Sequence, residues 1–186
     1  MRAGGTDSSA AAITVRTCVE ADMRAVTEIY AHHVLHGTAS FELEAPRLEE
    51  MLARRRAVLA AGCSYLVAET DGAIVGYAYF GPYHKRPGYR FTVEDSVYVR
   101  AGREGRGIGF RLLQALLAEC NDKPFRQMIA IIGDSANAAS VGLHRRLGFR
   151  SVGTFPSVGF KFGRWLDSVL MQKELGAGDR SLPEDS

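Results

Sequence analysis

The stretch Phe91–Cys120 reads FTVEDSVYVR, then AGREGRGIGF, then RLLQALLAEC. Its first third is rich in β-branched and aromatic residues, its middle third holds four glycines, and its last third repeats leucines at helical spacing. This pattern predicts a strand, a glycine loop and a helix in succession. The rest of the chain is arranged around that unit.

The glycine loop predicts a binding site for an anion. Gly105, Gly107 and Gly109 allow positive φ and close approach of a ligand, and the following helix offers free N–H groups. A phosphate or pyrophosphate is the preferred ligand; a tight turn without a ligand is the structural alternative. Ile108 and Gly109 stand where a Walker loop needs Lys and Ser or Thr, and Phe110 stands where a dinucleotide fingerprint needs glycine.

Length and composition place the chain among soluble globular domains. It has 186 residues, 46% of them hydrophobic and 24% charged, which fits one domain. The net charge of +2 does not indicate a nucleic-acid partner. No apolar window reaches the length of a membrane span, and residues 1–12 lack the apolar centre of a signal peptide, so we expect a cytoplasmic protein without a membrane partner.

The pattern of elements predicts an α/β chain with a central mixed sheet flanked by helices. Residues 1–12 are expected to form a flexible leader, residues 13–175 a single domain, and residues 176–186 a polar tail. The other predicted elements, in chain order, are a strand at 13–18, a helix opening at Glu20 or Asp22, a helix from Pro46 to about Ala61, a hairpin of 64–70 and 73–80 turning at Asp71-Gly72, a strand at 126–133, a helix starting at Asn137, and two closing strands at 151–155 and 165–173 joined through 156–164.

Metal chemistry has little support in the sequence. His32 and His36 are one helical turn apart, yet no acidic or further ligand accompanies them, so the end of a helix near the substrate is favoured over a metal site. Cys18, Cys63 and Cys120 are odd in number and share no metal-ligand spacing, which indicates reduced thiols. We expect no metal cofactor.

Two motifs together resemble the GNAT acetyltransferase superfamily. The first is the loop of the form x-x-x-Gly-x-Gly before a long helix, in which Glu104 stands where Gln or Arg is usual. The second follows some thirty residues later and contains Asn137, Ser140, Leu143, His144 and Gly148. The resemblance implies the GNAT fold, with splayed strands that form a cleft for acetyl-CoA. It also implies that Asn137 bonds the pantetheine arm.

Further stretches are similar to phosphinothricin acetyltransferases and to their bacterial relatives that acetylate methionine sulfoximine and methionine sulfone. These stretches are residues 79–82, 92–99, 143–144 and 161–167. The resemblance implies a homodimer that transfers acetyl from acetyl-CoA to the α-amine of a small amino-acid analogue. It implies cofactor contacts at Val97, Tyr98, Val99, Gly105, Arg106, Gly107, Ile108, Gly109, Phe110, Asn137 and Ser140.

Glu94 and His144 are the predicted catalytic residues. An α-ammonium must lose a proton before its nitrogen can attack a thioester, and Glu94 lies on a predicted strand that can hold a base in place. A carboxylate that merely faces solvent or pairs with an arginine is the alternative. His144 matches the family position that protonates the leaving thiolate; a structural histidine, with the thiolate stabilised by nearby dipoles, is the alternative.

A cationic loop before the central strand predicts contacts to an anionic acceptor. Arg86 is the best candidate for a bidentate contact to a carboxylate or oxyanion, whereas a solvated basic loop is the alternative. Phe41 is expected to close the pocket from the opposite side. The complete set of predicted substrate contacts is Phe41, His84, Lys85, Arg86, Tyr89, Glu94, Asp95 and Ser96.

Two rival functions stay open at this stage. The chain could acetylate another small amine, although the basic loop disfavours a polyamine and the bulky Tyr83, His84 and Tyr89 disfavour a protein substrate. It could instead be a regulatory module that binds coenzyme A without catalysis, which the presence of Glu94 disfavours.

Overall fold

The computed structural model describes residues 12–183, so the predicted leader lies outside the described residues except for Ala12. The helices are α1 (Met23–His36), α2 (Leu48–Ala60), α3 (Ile108–Cys120) and α4 (Ala138–Arg146). The strands are β1 (Thr14–Thr17), β2 (Tyr65–Thr70), β3 (Ala73–Pro82), β4 (Thr92–Val99), β5 (Gln127–Gly133), β6 (Arg150–Lys161) and β7 (Arg164–Glu174). Short 3-10 turns occupy Glu20–Asp22 and Pro87–Tyr89.

The strands within residues 12–183 form one sheet in the order β1-β2-β3-β4-β5-β7-β6. Every neighbouring pair is antiparallel except β4 and β5, which are parallel. That parallel pair is short, because it joins only residues 92–94 to residues 127–129. Beyond this point the two strands part, which confirms the predicted mixed sheet and its splay.

Helices cover both faces of the sheet and give it two apolar layers. On one face α3 buries Leu112, Leu113 and Leu116 completely. On the other face α1 buries Met23 and Val26 against aromatic residues of the sheet. Each fully buried side chain of this size contributes roughly 1.5–3 kcal/mol, so both layers hold the split sheet in one piece.

The predicted hairpin of β2 and β3 is confirmed. Asp71 and Gly72 adopt φ angles of 52° and 75°. Two consecutive left-handed residues form the turn that matches strand twist, and aspartate and glycine are the residues that tolerate it best. The local sequence was sufficient for this prediction.

The predicted connection through residues 156–164 is wrong, because most of it belongs to a long hairpin of β6 and β7. The chain turns at Phe162 and Gly163, which have φ angles of 49° and 72°. Pro156 indicated a break, but it lies in an irregularity of the pairing between Phe155 and Gly159. Since β6 is an edge strand, proline can stand there without costing a sheet hydrogen bond.

Part of the predicted polar tail lies against the domain. The guanidinium of Arg126 donates to the carbonyl oxygens of Gly178 and Leu182 and to the hydroxyl of Ser181.

Among residues 12–183, the structure contains no helix that is both long and apolar enough to cross a bilayer.

Candidate active site

A cleft of about 910 Å³ opens where β4 and β5 part. Its walls come from β4, the glycine loop, the start of α3, the end of β5 and α4. Most of the predicted site residues meet there: Phe41, Glu94, Asp95, Ser96, Val97, Tyr98, Val99, Gly105, Gly107, Ile108, Gly109, Phe110, Asn137, Ser140 and His144. The split in the sheet therefore coincides with the predicted site.

Successive residues of β4 point to opposite faces of the sheet, which gives the cleft two different sides. Tyr98 stacks edge-on against Tyr30 of α1, so this residue and its pleat-mates Glu94 and Ser96 belong to the α1 side. Asp95 reaches α4 on the other face. The predicted base is thus separated from the glycine-loop side by the strand itself.

The glycine loop has the conformation that the sequence predicts. Gly105 and Gly107 have φ angles of 73° and 81°, in the left-handed region that glycine tolerates best. Gly107 is the N-cap of α3 and supplies no side chain to bond the first turn. The N–H groups at the start of α3 are therefore free of a side-chain cap, and together with the helix dipole they favour an anion.

Glu94 is half-buried, and its environment suits a general base. Burial, and to a lesser extent the neighbouring charge of Asp95, raises the pKa of Glu94 to about 7. A carboxylate with this pKa is about half deprotonated near neutral pH and binds a proton more strongly than an ordinary carboxylate, so it can act as a base there.

His144 and Asp95 form a buried pair at the other side of β4. The ring Nε2 lies 3.0 Å from Asp95 Oδ2, and Nδ1 lies 2.8 Å from the carbonyl oxygen of Ser140. Both partners are acceptors, so both ring nitrogens donate. Burial lowers the pKa of His144, but the hydrogen bonds with Asp95 and Ser140 outweigh it and leave that pKa above its ordinary value.

Asn137 has a structural task besides the predicted one. Its side-chain oxygen accepts a hydrogen bond of 3.2 Å from the backbone N–H of Ser140, which caps α4. The capping bond satisfies one of the free donors at the start of the helix. Asn137 also lines the cleft, and its amide nitrogen is not used by this capping bond.

His33 is a cleft residue that the sequence reasoning missed. Its Nε2 lies 2.8 Å from the carbonyl oxygen of Val99, at the end of the splayed part of β4. Burial lowers the pKa of His33, so the neutral ring donates this hydrogen bond. The sequence pointed to the neighbouring His32 and His36 because of their spacing, and no local pattern singles out a contact that joins α1 to β4.

The cationic loop lies elsewhere. His84, Lys85, Arg86 and Tyr89 are exposed and do not contribute to the cleft wall of the single chain. Arg106 is likewise exposed and outside that wall. The rings of His84 and Tyr89 contact each other at 5.0 Å, so the loop packs on itself instead of reaching into the cleft.

The loop of residues 37–41 brings Ala39 and Phe41 to the cleft wall. Tyr30 and Ser40 fix the middle of this 37–41 loop through a hydroxyl–hydroxyl bond of 2.9 Å. Phe41 remains 36% exposed, so its ring is available to a ligand.

Comparisons with known proteins agree with this geometry. Residues 26–149 match the model of the acetyltransferase (GNAT) family. The chain is 54% identical to a phosphinothricin N-acetyltransferase of Alcaligenes faecalis, over 97% of this chain and 91% of the relative. It is 42% identical to an L-methionine sulfoximine/L-methionine sulfone acetyltransferase of Salmonella typhimurium, over 88% and 95%. A phosphinothricin acetyltransferase of Sinorhizobium meliloti, solved in complex with AcCoA, superposes with a TM-score of 0.91 at 43% identity, over 94% of both chains.

Replacing Glu94 by Gln should stabilise the fold above pH 7. Because the pKa of Glu94 is raised from 4.5 to about 7, the folded chain binds this proton more tightly than the unfolded chain. Native stability therefore falls as the pH rises between these values, and the cost is complete above the upper one. We expect E94Q to gain about 2–3 kcal/mol in free energy of unfolding at pH 8 and almost nothing below pH 4.5, measured by urea unfolding.

The matched control is Glu44→Gln, which removes an exposed carboxylate from the segment before α2. Its effect should be small and should not follow this pH dependence. Equal stabilities of E94Q and the native chain at pH 8 would contradict the raised pKa.

Proposed function

Because the chain belongs to the acetyltransferase (GNAT) family, we propose that it transfers an acetyl group from acetyl-CoA to the α-amine of a small amino-acid analogue. The observation that carries the proposal is the half-buried Glu94, with a pKa near 7, at the point where β4 leaves β5. Phosphinothricin, methionine sulfoximine and methionine sulfone are the candidate acceptors, since the similar proteins are named for them. A regulatory module without catalysis would not require a base in this place.

The residues present fit acetyl-CoA. The edge of β4 from Asp95 to Val99 has no partner in β5, so its backbone groups can pair with the amide-bearing arm of the cosubstrate. Gly105, Gly107 and the start of α3 provide the anion cradle that a pyrophosphate needs. Asn137 and Ser140 of the α4 region line the same cleft. Acetyl-CoA would supply the acetyl group as a thioester.

Glu94 accepts the proton of the substrate ammonium, directly or through a water, and so frees the amine for attack. Backbone N–H groups in residues 97–99, which β5 leaves unpaired, stabilise the negative charge that develops on the thioester oxygen. Both groups are part of the same strand. Their relative position is therefore fixed by backbone geometry rather than by a mobile loop.

His144 contributes charge rather than a free proton in this proposal. Both of its ring nitrogens already donate, to Ser140 and Asp95, so protonating a thiolate would require breaking one of these bonds. The raised pKa of His144 favours a positively charged ring beside the cleft more than in an ordinary histidine. That charge favours departure of the thiolate, which makes the histidine an electrostatic participant.

Phe41, Glu94 and Ser96 are the proposed contacts of the acceptor within the cleft. Asp95 is buried and bonded to His144, so we propose that it acts through that pair instead of on the acceptor. His84, Lys85, Arg86 and Tyr89 stay predictions as direct contacts. As an exposed cationic loop they attract an anionic acceptor from solution.

The first test is turnover of the Glu94→Gln variant, with thiol release from acetyl-CoA followed in the presence of methionine sulfoximine. The native rate should rise with pH through about 7, the pKa of Glu94. The variant should lose roughly 10²–10⁴-fold in turnover at neutral pH and recover at higher pH, where the substrate amine deprotonates without help. The Glu44→Gln control should keep the native profile.

Native activity in the E94Q variant at neutral pH would remove Glu94 from the mechanism. No thiol release from the native chain with any of the three acceptors would refute the proposed function itself.

The second test concerns the anion cradle. Gly107→Glu places a carboxylate where we propose that the pyrophosphate binds, and should abolish acetyl-CoA binding in titration calorimetry. Gly102→Glu is the matched control, since Gly102 has a similar φ of 77°, equally open surroundings and no part in the cleft wall. The two variants carry the same backbone strain, so equal losses of affinity would contradict the assignment of the loop.

The proposal extends to a two-fold homodimer formed through β6. The apolar segment Trp165–Met171 of β7 supplies little surface for such a contact, because Leu166 and Met171 are buried in the sheet. The β6–β7 hairpin instead carries a set of apolar side chains that are each more than half exposed: Val152, Phe155, Val158, Phe160, Phe162 and Trp165. An apolar edge strand with unpaired backbone groups is suited to a second copy of itself.

Light scattering should give the mass of two chains for the native protein and of one chain for Phe155→Glu. Leu43→Glu, which changes an exposed leucine outside the hairpin, should remain dimeric. A native monomer at working concentration would contradict the dimer.

The predicted cytoplasmic location and the predicted lack of nucleic-acid and membrane partners stay predictions.

A further inference from the structure

Lys161 is a buried cation that no step of the proposed chemistry uses. Lys161 is only 3% exposed. Its Nζ donates hydrogen bonds to the carbonyl oxygens of Gly37 and Ser40 at 3.0 and 2.7 Å. Among the described residues, these two carbonyls are the hydrogen-bond partners that the ammonium has. Burial lowers the pKa of Lys161, so the fold holds this charge at a cost.

The two carbonyls belong to the 37–41 loop, whose Ala39 and Phe41 line the cleft. One side chain of β6 thus fixes a segment more than 120 residues away in the chain. Without its donors, two carbonyl groups at the base of the loop would lose their partners, and the loop would lose one of its attachments to the sheet. Lys161 is therefore placed to decide where Phe41 stands.

Phe41 itself is seated between two glycines. A Cβ built on Gly133 of β5 would lie 2.4 Å from the carbonyl oxygen of Thr38 and 3.0 Å from Phe41 Cε1. One built on Gly159 of β6 would lie 2.5 Å from Phe41 Cε2. Neither glycine needs a positive φ. Both positions lack a side chain next to the ring of Phe41. A larger residue at either position would collide with its neighbours, so the slot needs glycine for steric reasons.

We propose that Gly159 and Lys161 are positioning residues that set the location of Phe41 and thereby the size of the acceptor end of the cleft. The inference rests on the proposed function, since it names the residues that set the acceptor preference of that same site. Gly159 supplies the slot and Lys161 the anchor. Both act through Phe41 and leave the cofactor half of the cleft unchanged.

The first experiment compares two glycine variants of the same strand. Gly159→Ala should displace the ring of Phe41 and change the KM for methionine sulfoximine by about tenfold or more, while the KM for acetyl-CoA stays within about twofold. Gly153→Ala is the matched control, because a Cβ there meets nothing within 4 Å. Equal effects of the two variants, or equal effects on both substrates, would overturn the proposal.

A second arm shows whether the effect passes through the ring. In a Phe41→Ala background the slot is empty, so Gly159→Ala should then leave the acceptor KM unchanged. An effect of the same size in both backgrounds would mean that β6 is disturbed in another way. That result would also overturn the proposal.

The anchor is tested without any acceptor, by hydrogen exchange. Lys161→Met should speed exchange of the amides in residues 37–41 by about tenfold or more, relative to the native chain. Lys123→Met is the matched control, since Lys123 also donates to a backbone carbonyl, that of Gly62, but at an exposed place outside the cleft wall. Unchanged exchange in Lys161→Met would refute the anchor.

The kinetic and exchange experiments can fail independently of the proposed function. A native chain that acetylates no amino-acid analogue refutes the function, whereas the exchange experiment still reports on Lys161. If Lys161→Met does not fold, the glycine comparison decides the question alone. Altered acceptor KM through Phe41, with retained acetyl-CoA KM, supports the assigned role.

Discussion

The short pairing of β4 with β5 is the constraint on which the rest of the structure depends. Three residue pairs join the strands, and beyond them each edge must find other partners for its backbone groups. The edges that face away from the cleft stay in place because β3 pairs with β4, and β7 with β5, beyond the point of the split. His33 takes the carbonyl of Val99 by a side-chain hydrogen bond. What is left is an ordered polar edge that a ligand can complete.

The same strand solves an electrostatic problem by placing adjacent carboxylates on opposite faces. Asp95 has His144 as its partner, whereas Glu94 has burial and the neighbouring charge of Asp95 against it. A hydrogen bond therefore stabilises the pair on one face, whereas burial and the charge of Asp95 push the remaining carboxylate toward its protonated form. Two neighbouring carboxyl groups in different environments can take different roles. One can hold a partner in place while the other, with its raised pKa, accepts a proton.

Local chemistry explains which features the sequence could predict. The Asp71-Gly72 turn and the glycine loop before α3 depend on residues that are neighbours in the chain, and both have the expected backbone. The connection through residues 156–164 failed because a proline is tolerated on an edge strand, a status that only the assembled sheet defines. Lys161 was equally invisible, since its partners lie at Gly37 and Ser40. Contacts of such separation leave no trace in hydrophobic periodicity or turn residues.

This difference divides the cleft into two halves of different origin. The anion cradle, from the end of β4 to the start of α3, is one continuous segment, so its backbone geometry is set by local preferences. The opposite half brings together the 37–41 loop, Gly133 and Gly159, which three separate elements supply. A substitution in any of these can move Phe41 without touching the anion cradle. The architecture thus allows the acceptor end to change while the anion cradle is kept, because the position of Phe41 depends on long-range contacts that the cradle does not share.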